Sequence, residues 1–207
     1  MNYMKTILSI LFIISSTYVL AQNTDIKSEL AAARSAYSSG DLEDARFALE
    51  RSLNELNNVI ALEIRSMLPN MLGGISAFKT EDEAISNTGG AGLFVTRTYK
   101  EMEDDPLNIE LTITDHSPMI AMVNSFLSNS MISSMVMTDS DQKSVKVSGY
   151  KGMLQKNEGD NGGISYSINI PFGDSLMTLE TEGVELEEDA LEMASEVPLD
   201  EIAKLVK

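Results

Sequence analysis

Ile164, Tyr166, Ile168 and Ile170 alternate with Ser165, Ser167 and Asn169. A period of two puts the four apolar residues on one face of a strand. The stretch from Val145 to Val184 repeats this habit around breaks rich in Gly, Asn and Asp, residues that supply the positive φ of tight turns. It predicts a three-strand meander: one strand over S-V-K-V-S-G-Y-K-G-M-L-Q-K from Ser144, one over Ile164–Phe172, and one over L-M-T-L-E-T. Upstream, Leu93–Tyr99 predicts a strand. Leu107, Ile109, Leu111 and Ile113 alternate with Asn108, Glu110, Thr112 and Thr114 in another. The acidic run Glu101–Asp105 lies between them as the loop of a hairpin.

Elsewhere the period is that of a helix. Ile26, Leu30, Ala33 and Tyr37 fall on one helical face, which Ser38-Ser39-Gly40 ends. Asp41 caps a second helix to about Leu68, with a stripe of Leu42, Ala45, Leu49, Leu53, Leu56, Ile60, Ile64 and Met67. Pro69 stops it. So short a turn makes the two helices antiparallel. Ser117-Pro118 opens a third helix, whose Met119, Met122, Val123, Phe126 and Leu127 are the expected cover of the meander's apolar face. Met131–Met137 predicts a further short helix. Leu186–Val197 predicts an acidic helix with Leu186, Ala190, Leu191 and Ala194 inward. Leu199, Ile202, Ala203 and Val206 predict one more.

These elements make an α+β protein: an N-terminal helical hairpin, then an antiparallel sheet of about five strands covered by helices. The expected divisions are a signal peptide over 1–21, the hairpin over 22–68, a linker over 69–91 and the α+β domain over 92–207. The N-terminus carries Lys5, an apolar run Ile7–Ile14, and small residues at Val19 and Ala21. That order predicts export, periplasmic or secreted, after cleavage between Ala21 and Gln22. The apolar run is shorter than the roughly 20 residues of a spanning helix, and no later stretch reaches that length.

Ala36–Leu53 reads A-Y-S-S-G-D-L-E-D-A-R-F-A-L-E-R-S-L. With its neighbours over 33–53 it resembles a single tetratricopeptide-like hairpin. Gly40 stands at the turn, Ala45 at the helix crossing, and Leu49 and Ser52 at later contact positions. Only one unit is present, whereas an array needs about three. A second resemblance rests on Leu68-Pro69 with Gly73-Gly74, G-G-A-G before F-V-T-R-T-Y, D-H-S-P-M-I, V-K-V-S-G-Y-K-G and a closing L-D-E-I-A-K-L. It is similar to a family of uncharacterised exported bacterial proteins, which departs from this chain at Ile75, where an aromatic is usual. It implies the compartment and the strand–helix order, and no functional residue. The element order also resembles, by fold analogy, the sandwich of the PsbP-like extrinsic proteins of photosystem II.

Composition narrows the chemistry. The 207 residues carry a net charge of −17, which repels nucleic acid and anionic headgroups. There is no cysteine, so the core must hold without disulfides. His116 is the only histidine. It is beside Asp115 at a strand end, where a general base could sit, yet no nucleophile motif accompanies it. The glycine pairs at 73–74, 89–90 and 162–163 lack the phosphate-cradling pattern. The clusters Glu101–Asp105 and Glu185–Asp189 lack the spacing of a calcium loop.

Of 13 methionines, five lie between Met119 and Met137. Thioethers at such spacing serve as core, as an adaptable binding surface, or as copper(I) ligands. No catalytic, cofactor or metal residue is therefore assigned, and no cofactor is expected. The candidate partner face comprises Met119, Met122, Met131, Met135 and Tyr37. The expected function is that of an exported, non-enzymatic binding or scaffold protein, contacting another envelope protein or a small apolar ligand. The alternatives are an envelope enzyme using His116 and metal handling by methionines.

Overall fold

The computed structural model describes residues 26–86, 92–103, 106–128, 141–158 and 163–206. The chain divides into two compact units with the boundary between Val59 and Ile60.

The first unit is the helical hairpin. Helix α1 covers 26–39, and helix α2, Leu42–Met67, begins in this unit and ends in the next. The α1 end is closed by Gly40 N–H donating to the Tyr37 carbonyl and Asp41 N–H to the Ala36 carbonyl. Asp41 Oδ1 accepts the Asp44 N–H at 3.1 Å, so Asp41 caps α2 as its position predicts.

The second unit is built on a sheet of seven antiparallel strands among the described residues, not about five. They are β3 (Glu83–Ser86), β4 (Leu93–Tyr99), β5 (Asn108–Asp115), β6 (Gln142–Val147), β7 (Tyr150–Glu158), β8 (Ile164–Phe172) and β9 (Ser175–Glu182). Their spatial order is β3-β4-β5-β9-β8-β7-β6. The chain lays down β3 to β5 as one meander. It then crosses to the far edge and meanders back from β6, so that β9 pairs with β5 at the centre.

Two features explain the larger count. The segment read as one strand from Ser144 is a hairpin, β6–β7, turning at Ser148-Gly149 with Val147 opposite Tyr150. Both turn residues have positive φ, 48° and 91°, the mark of a two-residue turn whose twist matches the strands. Residues 69–86, read within a linker, hold a small hairpin of β1 (Met71–Leu72) and β2 (Ile75–Ser76). A 3-10 turn, Lys79–Glu81, and the edge strand β3 follow.

One face of the sheet carries Val95, Ile109, Leu111, Ile113, Met177, Leu179, Ile168, Ile170 and Leu154. All belong to one buried apolar cluster. The elements that cover it are the end of α2 through Ala61 and Ile64, Leu68 just past that end, then α4 (Glu187–Ser195) and α5 (Leu199–Leu205). Ala190, Met193, Ala194, Leu199, Ile202 and Ala203 are its buried residues there. Leu186, expected inward, is exposed one position before α4 begins.

Helix α3 (Met119–Ser128) is not the cover of this face. It lies against β7, β8 and β9, and its buried Val123 stands outside the main cluster, as do Met153 and Leu176. The register places Met153 and Leu176 on the opposite, largely polar face. The apolar period of α3 is real, but two C-terminal helices and α2 already occupy the face it was expected to fill. The short helix expected over Met131–Met137 lies outside the described residues.

Candidate functional site

The hairpin departs most from its expected burial. The residues buried at its helix–helix contact are small: Ala33 on α1, and Ala45, Ala48 and Ser52 on α2. Ser52 Oγ donates to the Ala48 carbonyl at 3.1 Å, so its hydroxyl is satisfied there. Small side chains let two helices approach closely, and the large residues of both stripes are left beside the contact line. Leu30, Tyr37, Leu42, Leu49, Leu53 and Leu56 are between 45% and 70% exposed.

These six residues share one side of the hairpin. At about 100° per residue, the large residues of α1 follow its contact residues clockwise when viewed from the N-terminus. Those of α2 do the same. The helices run in opposite directions, so both sets emerge on the same side of the pair. The other side holds a groove of about 550 Å³ lined by Ala32, Ala36, Phe47, Ala48 and Arg51. There Arg51 Nη2 is 2.6 Å from Glu29 Oε2, and its guanidinium stacks over the Phe47 ring at 4.7 Å. One side of the hairpin is thus laced by charge, and the other is bare and apolar.

Of the sequence-nominated face, Tyr37 belongs to this bare side. Met119 and Met122 are half-exposed on α3, in the second unit. Met131 and Met135 lie outside the described residues. The leucines at 42, 49, 53 and 56 stand in the apolar stripe read for this helix and are not among the nominated face residues. Their signal was the small-residue set Ala33, Ala45, Ala48 and Ser52, which already accounts for the helix–helix contact.

His116 stands at the end of β5 with φ 54°, a conformation that His tolerates better than most residues. Its Nδ1 lies 2.9 Å from Asp115 Oδ2, and its ring is 59% exposed. Asp115 Oδ1 accepts the His116 N–H at 3.1 Å and the Ser175 hydroxyl at 3.2 Å. Ser175 is fully buried and faces the carboxylate rather than the imidazole. The three residues therefore contain an oriented Asp–His pair but not a serine activated by that histidine.

Two further clusters have no sequence signature. On the apolar face, Arg97 donates to Asp82 and to the Leu68 and Pro69 carbonyls, and Tyr99 donates to Pro69. Burial pulls the Arg97 pKa down, but the hydrogen bond and charge of Asp82 outweigh it and leave it raised. Burial pushes the Tyr99 phenol well above its ordinary range. On the polar face, Glu110 and Glu180 are cross-strand partners and Glu182 follows in the same strand. Partial desolvation of this otherwise exposed carboxyl, then the charge of Glu110, then that of Glu182 raise the Glu180 pKa.

Among the described residues, no three His, Asp or Glu side chains are grouped to hold a metal ion. Nor is any helix there long and apolar enough to cross a membrane. No family model, no curated protein and no solved structure matches the chain.

Proposed function

We propose that this chain is an exported, non-enzymatic binding or scaffold protein that works by protein–protein contact through its helical hairpin. The observation that carries this reading is the run of six large apolar side chains exposed on one side of α1 and α2. A contiguous apolar patch of this kind marks an interaction surface far more often than a solvated one. The likeness of 33–53 to a tetratricopeptide hairpin supports it, because such a unit is completed only by a neighbour. The leader-like N-terminus supports a contact in the periplasm or outside the cell.

A photoreactive residue placed at Leu49 or Leu53 in cells tests the reading. Protein adducts are expected at both positions and not at Ser35, on the other side of the hairpin. The absence of adducts at Leu49 and Leu53 overturns it.

A second reading has one observation in its favour. The Asp115–His116 pair has an oriented imidazole with an exposed ring, the arrangement of a general base. In that reading the chain is an envelope enzyme, and His116→Ala reproduces whatever phenotype its deletion causes. A His116→Ala strain indistinguishable from wild type removes this alternative.

A further inference from the structure

The bare side of the hairpin has properties that single out one occupant. Six large apolar residues, each about half exposed or more, leave a patch on the order of 600 Å², the upper end of what an ordinary monomer shows. From Leu42 to Leu56 the stripe on α2 runs about 21 Å at the helical rise. The second helix adds Leu30 and Tyr37. With the polar atoms between them, the face approaches the roughly 800 Å² per partner of a standard stable interface.

Charge is distributed to suit a like partner. Residues 26–59 carry four basic and six acidic side chains, whereas 60–207 carry ten basic and twenty-five acidic. The strong negative charge of the chain is thus concentrated outside the hairpin. At the edge of the stripe Arg46 pairs with Glu50 at 3.5 Å, so both signs border it. A strongly basic or acidic partner has no field to read here, but a second copy meets a face that matches its own.

We propose that the hairpins of two chains pair face to face, about a two-fold axis near Leu49 and Leu53, into an antiparallel four-helix bundle. Hairpins meeting at small crossing angles bury such stripes in one shared core, and a two-fold interface needs only one self-complementary patch. Each copy supplies Leu42, Leu49, Leu53 and Leu56 with Leu30 and Tyr37. This proposal rests on the reading of the hairpin as a protein-binding face and names its partner.

The test uses the whole chain. Sedimentation equilibrium of the wild type should give twice the 22.6 kDa chain mass, less any cleaved leader. Leu53→Glu and Leu49→Glu should each weaken the dimer by about 30-fold or more, as central interface residues do. Leu53→Gln serves if the acidic variant loses helical circular dichroism. Because the chain has no cysteine, Leu53→Cys should give a covalent dimer on mild oxidation and Ser35→Cys should not. A dimer that survives both glutamate variants overturns the proposal. A monomer whose Leu53 still forms photo-adducts with a different protein overturns it but leaves the binding reading intact. A monomer without adducts removes both.

Discussion

Arg97 and Asp82 form an ion pair inside the second unit. Nη2 lies 2.6 Å from Oδ2, Nε lies 3.1 Å from both carboxylate oxygens, and the two side chains are 7% and 8% exposed. The remaining donor group, Nη1, reaches the Leu68 carbonyl at 2.7 Å, just past the end of α2. Arg97 thus ties strand β4 to both the helix end and the segment before β3.

Removing one partner leaves a buried charge alone. Asp82→Ala should cost about 3–5 kcal/mol, read from urea unfolding. Arg97→Met in the same background should recover part of that loss, because the stranded charge goes too. If the double variant is no more stable than Asp82→Ala, the pair is not the source of the cost.

Asp115 and His116 should separate in stability as they do in burial. The exposed His116 ring makes His116→Ala worth no more than about 1 kcal/mol, chiefly the strain of alanine at φ 54°. Asp115→Ala should cost about 1–3 kcal/mol, since it leaves the buried Ser175 hydroxyl without its acceptor. Thermal unfolding of both variants checks this. Equal losses would mean that the imidazole carries the structural role.

Glu180 sets a pH dependence. Its folded pKa is raised above the ordinary value of 4.5, so the folded state binds the proton more tightly than the unfolded one. Its contribution is therefore most favourable below that value and is lost as pH rises through the raised folded value. Glu180→Gln should stabilise the protein by about 0.3 kcal/mol at neutral pH, the scale of an exposed like-charge cross-strand pair. The gain should vanish below about pH 4. A gain that persists unchanged at low pH would point to a cause other than ionisation.

Two glycines with positive φ should respond differently to alanine. Gly149, φ 91°, has open space where its Cβ would go. Gly149→Ala should cost only the strain, about 1 kcal/mol. At Gly183, φ 76°, a Cβ would stand 2.6 Å from the Pro106 carbonyl oxygen, which is backbone and cannot swing aside. Gly183→Ala should lower the melting temperature by at least twice as much. Calorimetry of both variants gives the comparison.

Much of the second unit was legible because alternation is a local signal. Leu107–Thr114 and Ile164–Phe172 fall almost residue for residue on β5 and β8. The turn at Ser148-Gly149 was missed: it is only two residues long, and Val145, Val147 and Tyr150 beside it disguise two strands as one. Which helix covers which face was not legible. Met119–Leu127 and Leu186–Ala194 have similar stripes, and only the three-dimensional crossing after β5 sends the first to the polar side. The hairpin's bare face was hidden for the opposite reason. A leucine stripe and a small-residue stripe both have helical period, and sequence reading gives the larger residues to the core. Arg97 and Asp82 left no trace, since fifteen residues separate them and a lone arginine in a strand looks like an exposed one.

The central pair of the sheet has a consequence for how the chain is made. Ile109 of β5 faces Thr181 of β9, so the middle of the sheet is the last seam to close. A growing chain that has not yet released Ser175–Glu182 holds two separate meanders, each with an unpaired edge. Such long-range closure is slow, because the entropy of a large loop is lost before the contact repays it. Almost the whole polypeptide must be complete before the fold locks. Until then each meander keeps an unpaired strand edge, the part of such a chain most open to aggregation.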